Sequence, residues 1–104
     1  MSYDPKRPMH SATKRSLRRR LLGVQLGLCA ICGQPLEEHA ALPEMLPSLD
    51  HVIPITAGGP DRPGNYVAAH VACNVTKGNR RPTGCELIYL LAVNNRMGEK
   101  PMRW

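Results

Sequence analysis

The sequence has no phenylalanine, and only four of its 104 residues are aromatic. Large aromatic side chains dominate burial in most interiors, so their scarcity excludes a conventional aromatic-rich core. No apolar run approaches the roughly 20 residues that a bilayer-spanning helix requires, which excludes a helical membrane protein. The opening stretch MSYDPKRPMH is polar and charged and has no apolar leader segment, so a reducing, cytoplasmic setting is expected. No internal repeat or low-complexity segment is present. At this length the chain has room for one domain near the lower limit for a self-sufficient core, and nine glycines and ten prolines thin that core further.

What the sequence does have is cysteine and basic charge. Small domains replace missing core with disulfides or a structural metal, and Cys29, Cys32, Cys73 and Cys85 are the candidates. The spacing Cys29-Ala30-Ile31-Cys32 puts two thiolates on one tight turn, a common half of a tetrahedral zinc site. The formal net charge is +6, with a pI of about 9.6. Residues 1–33 carry seven Lys or Arg against Asp4 alone, while residues 34–61 carry five acidic groups and no Lys or Arg. Such a balance points to a polyanionic partner, the plainer alternative being a solvated basic face with no ligand.

Residues 1–10 read as a flexible basic arm in which Lys6 and Arg7 are available to phosphate. From Ser11, an expected N-cap, Leu17, Leu21 and Val24 form one helical stripe that Leu28 extends, with arginines alongside. The segment CAICGQPL then forms a knuckle, and EEHAALPEMLPS reads as a loop with one short turn, because its prolines break a helix. SLDHVI predicts a short strand with Leu49, His51 and Ile53 on one face and Asp50 and Val52 on the other. After the turn-rich PITAGGPDRPGN, YVAA predicts a second strand and HVACNVTKGN a short helix ended by Gly78. CELIYLLAV makes a C-terminal helix before a polar tail over 98–104.

Laid out this way, the chain resembles the HNH endonucleases. The resemblance rests on Cys29-x-x-Cys32, Asp50-His51-Val52-Ile53-Pro54, Gly58-Gly59, Asn65, His70-x-x-Cys73-Asn74 and Lys77-Gly78. It departs from many relatives in pairing His with Cys at the second half of the zinc site, and in having Asn74 where the family name implies His. It implies a small α+β fold over residues 11–97, a ββα-metal core held by a structural zinc and flanked by the N-terminal basic helix and the C-terminal helix.

Under that resemblance Cys29, Cys32, His70 and Cys73 hold the structural zinc, since residues three apart on a helix project to one side. The alternative is a set of reduced, buried thiols with His70 as a cap. Cys85 fits neither pair and is expected as a buried thiol. His51 is the implied general base, with Asp50 and Asn74 holding a catalytic Mg²⁺ or Mn²⁺. Asn74 lies about 100° around the helix from Cys73, and Lys77, one turn on, is expected to reach a phosphate oxygen. Asn65 is either an anchor for the glycine-rich loop that orients His51 or a simple turn residue beside Gly64. His10 and His39 read as surface residues, and Arg18, Arg19, Arg20, Arg80 and Arg81 as a DNA-facing surface.

The resemblance therefore implies metal-dependent hydrolysis of DNA phosphodiesters, leaving 5′-phosphate and 3′-hydroxyl ends. One Asp50, His51 and Asn74 set attacks one strand at a time, so a monomer is expected to nick, and with little sequence preference. A phage terminase subunit is a further partner by resemblance. The rival reading is a zinc module that binds nucleic acid without cutting it.

Overall fold

Leu17 and Leu21 lie four residues apart, so a helix puts both on one face, and both are buried in helix α1, Ser11–Val24. The structure is a computed structural model that describes residues 11–99. The expected arm, with Lys6, Arg7 and His10, and all of the tail beyond Glu99 lie outside those residues. Ser11 is itself helical rather than a cap before the helix. Leu28 does not extend the stripe. The helix has ended, and Leu26 and Gly27, at φ 57° and 71°, reverse the chain and leave Leu28 40 % exposed. Leu28 then bridges to Pro35 and closes a small hairpin around the cysteine knuckle.

Strands β1, Pro47–His51, and β2, Tyr66–His70, pair antiparallel, with Pro47 opposite His70 and His51 opposite Tyr66. Two strands alone are marginal in water, so the sheet depends on what covers it. Every residue of β2 is buried. Its outer edge is closed by the buried Gln25, whose side-chain oxygen accepts from the Ala68 amide at 2.7 Å while its Nε2 donates to the Ala68 carbonyl at 2.9 Å. The Ala30 amide adds a bond to that carbonyl at 3.0 Å. A side chain thus does the work of a third strand.

Helix α2, Val71–Lys77, leaves β2 directly and packs back along β1, completing the ββα unit. Helix α3, Gly84–Met97, starts at a capping box in which Thr83 accepts from the Glu86 amide and Glu86 accepts from the Thr83 amide. It packs on α1, and the two helices cap each other's C-terminal ends. Arg20 donates to the Met97 carbonyl, and Arg96 to the Val24 carbonyl. Leu17, Leu21, Tyr66, Ala68, Val93 and Met97 form the main core, with Val52, Val67 and Leu90 a smaller one. Cys85, expected as a buried thiol, is exposed on the first turn of α3, because the buried stripe runs through Leu90, Val93 and Met97. No helix among the described residues is long and apolar enough to cross a membrane.

Candidate metal centre and catalytic edge

The knuckle brings Cys29 and Cys32 onto one turn, and Gly33 lets the chain leave it at φ 75°, a conformation that a side chain would strain. The end of β2 supplies His70 and the first turn of α2 supplies Cys73. Their four ligand atoms lie within 4.8 Å of one another. Cys32 Sγ is 3.4 Å, and Cys73 Sγ 3.8 Å, from His70 Nδ1. Tetrahedral zinc with Zn–S bonds of about 2.3 Å separates its ligand atoms by about 3.8 Å, so the cluster fits that ion. His70 Nε2 faces the Pro35 carbonyl at 2.9 Å, which places a proton on Nε2 and leaves Nδ1 to ligate.

Electrostatics favour the same occupant. Burial raises the Cys29 thiol, but the backbone hydrogen bonds it accepts from Cys32, His70 and Ile31 outweigh that and bring it down to about 7. Burial, together with the neighbouring Cys32 and Cys29, pushes Cys73 up to about 12. Three thiolates cannot share this space without a cation, and a divalent ion removes the conflict.

The other end of the sheet is built differently. Asp50 and His51 are adjacent on β1, and the strand sends their side chains to opposite faces. His51 stands on Tyr66, its cross-strand neighbour, with ring centroids 4.3 Å apart. Its Nε2 is 3.1 Å from Asp61 Oδ1, and the Tyr66 hydroxyl donates to that same oxygen. The His51 side chain remains 27 % exposed.

Asp50 is buried. Lys77, itself buried, holds both carboxylate oxygens, at 3.1 and 2.9 Å, and donates further to the carbonyls of His51 and Val52. Burial pushes the Asp50 carboxyl above its ordinary range, against the pull of the Lys77 ammonium. Lys77 does not project to solvent as expected for a phosphate contact. One turn beyond Cys73, it points under β1 and pairs with the buried Asp50 carboxylate. Asn74 donates to the Leu49 carbonyl at 2.9 Å, one peptide before Asp50. The structure therefore pairs Asp50 with Lys77, sets Asn74 against Ser48 and Leu49, and sets His51 with Asp61 and Tyr66.

Asn65 clamps the loop between the strands. Its Oδ1 accepts from the Ile53 amide, and its Nδ2 donates to the carbonyls of Ile53 and Pro60. Gly59 passes so close that an added Cβ would lie 1.8 Å from the Ile53 oxygen, so no side chain fits there. Among the arginines expected to face DNA, Arg20 is spent on α3 and Arg80 pairs with Glu86 at 2.8 Å. Arg18 and Arg19 line an open cleft with Glu38 and His39, and Arg81 is exposed.

Sequence reasoning passed over Asp61 and Tyr66. The signal for Tyr66 was its position as the first strand residue after the loop, opposite His51. Asp61 looked like an ordinary turn residue after Gly-Gly-Pro. No curated protein matches the sequence. A family model described as HNH endonuclease matches residues 29–80, half of the chain, a span that holds the metal cluster and both strands. With the motif residues folded into one ββα unit beside a zinc-competent cluster, the chain belongs to the HNH endonuclease family.

Proposed function

We propose that the protein is a metal-dependent DNA endonuclease in which His51 is the general base. The observation that carries this reading is the state of His51: partly exposed at the end of β1, braced by Tyr66 and Asp61, and one residue from the buried acid Asp50. HNH nucleases act on nucleic acid and use divalent metals. Here Asp50 and Asn74 would hold that ion. A carboxylate and an amide carbonyl are hard oxygen donors suited to Mg²⁺ or Mn²⁺, which when bound stabilises charge on the phosphate and the departing 3′ oxygen. Asp50 now engages Lys77, so an ion competes with that ammonium for the carboxylate.

The chain's own steps are few. His51 takes a proton from water, which attacks the phosphorus in line with the leaving oxygen. Asn65 and Gly59 hold the loop that flanks His51. Arg18, Arg19 and Arg81 contact phosphates without reading bases, so sequence preference is weak and binding falls as salt rises. One set per chain makes a monomer that nicks. Work beside a phage terminase subunit, in the cytoplasm of an infected cell, follows from family resemblance alone.

The test is a time course on supercoiled plasmid with Mg²⁺ or Mn²⁺. Open circles are expected before linear DNA. His51→Ala should lose roughly 10²- to 10⁴-fold in rate, the usual worth of general-base catalysis, while retaining fold and DNA binding. Wild-type rates in His51→Ala would remove the base from this position. The Lys77–Asp50 pair favours one other reading, a zinc module that binds DNA without cutting it. In that case the wild type binds plasmid and leaves it supercoiled at every metal concentration.

A further inference from the structure

We propose that Asp61 is the positioning residue for His51, holding the ring through Nε2–H so that Nδ1 receives the proton from water. The inference rests on the nuclease reading and deepens it. An ionised carboxylate only accepts hydrogen bonds, so the ring nitrogen 3.1 Å from Asp61 Oδ1 must carry the proton of a neutral imidazole. The lone pair then sits on Nδ1, which has no hydrogen-bond partner among the described residues. The side chain of Asp61 is itself only 13 % exposed.

Four features separate this contact from a chance surface pair. The Tyr66 hydroxyl donates to the same Oδ1, so two donors converge on one oxygen. The Tyr66 ring lies against the imidazole, which restricts its tilt. The backbone is tied on both sides of Asp61: the Pro60 carbonyl accepts from Asn65 Nδ2 at 3.0 Å, and the Arg62 carbonyl accepts from the Asn65 amide at 3.0 Å. Lys14 of α1 approaches the second oxygen at 3.7 Å. The loop, β2 and α1 thus all bear on the carboxylate that faces the base. A histidine acting as base needs one tautomer and one orientation, and a fixed acceptor on the opposite nitrogen supplies both.

The experiment uses the zinc-loaded full chain, labelled with ¹⁵N-histidine and studied by NMR at a pH where imidazoles are neutral. The wild type should show a His51 Nε2–H proton shifted downfield and protected from exchange. Asp61→Ala should lose that signal. Asp61→Asn should keep it, because the amide oxygen still accepts. On plasmid, Asp61→Ala should lower kcat by roughly 10- to 100-fold, by analogy with the loss of an orienting partner from a metal-ligating histidine, with KM nearly unchanged. Asp61→Asn should restore most of the rate. A wild-type proton on Nδ1, a signal that persists in Asp61→Ala, or wild-type kcat in Asp61→Ala while His51→Ala is inactive would each overturn the assignment. If the wild type cuts no plasmid under any metal, the nuclease reading falls, and the ring-proton signal alone still upholds or overturns the Asp61–His51 contact.

Discussion

The two histidines of the motif sit at opposite ends of one small sheet, His70 closing β2 and His51 closing β1. Four residue steps at about 3.3 Å put these ends roughly 13 Å apart. At the His70 end the groups converge on one point, Cys32 from an exposed position: both ring nitrogens have partners, and three sulfurs lie within 4.8 Å of Nδ1. At the His51 end one ring nitrogen is bound and the ring stays partly open to solvent. A ligand set closed on all sides holds a fold, and one left open can act on something outside it. Helix α2 joins the two, carrying Cys73 at its start and Lys77 at its end.

The sharpest way to break this contrast is to remove the zinc that the cluster is expected to hold. One ion per chain is expected by mass spectrometry. Because metal binding is worth about 10–16 kcal/mol to small zinc folds, Cys29→Ser or strong chelation should abolish cooperative unfolding. Cys85→Ser, at an exposed position, should melt like the wild type. Absence of zinc, or collapse of Cys85→Ser with an intact Cys29→Ser, would reverse the assignment.

The contrast is sharpened by Lys77, which sits at the His51 end yet is buried like a core residue. Lys77→Met leaves the Asp50 carboxylate unpaired and should cost about 3–5 kcal/mol in denaturant unfolding. Adding Asp50→Asn to Lys77→Met should recover much of that loss. If Lys77→Met unfolds at the wild-type denaturant concentration, the pair contributes nothing to the fold.

The smallest effect belongs to Glu86, in the first turn of α3. The hydrogen bond from Arg80, with help from Thr83, lowers its carboxyl from 4.5 to about 2. A depressed carboxyl stabilises the fold above its unfolded value and loses that contribution as pH falls from about 4.5 toward 2. Glu86→Gln keeps the capping geometry, so only the slope of stability in that window should flatten. Thermal melts at several acid pH values would show it, and an unchanged slope would assign acid sensitivity to other groups.

Both strands, α2 and α3 were legible because they rest on local chemistry, a two-residue period and a glycine stop, and the four residues of the cluster because a thiolate spacing joined a family resemblance. The fate of Lys77 was not. Its position on the helix face was readable, but its inward turn depends on Asp50, which lies 27 residues earlier in the sequence. Cys85 was misread because an apolar helix has a wet side too, and only packing against α1 decides which side that is. Asp61 was missed because its partner is ten residues away across a loop that Asn65 and Gly59 shape.

The brevity of α2 bears on how assays of this protein are run. Seven residues connect the cysteine cluster to the carboxylate and carbonyls at the end of β1. Under the proposed reading, a chelator added to strip a catalytic ion is expected also to dissolve the frame that presents His51. Inhibition by chelation then reports two losses at once, and their reversal depends on the order of addition. Magnesium supplied alone should leave the stripped protein inactive, whereas zinc followed by magnesium should restore cutting. The delay before that recovery measures refolding rather than catalysis.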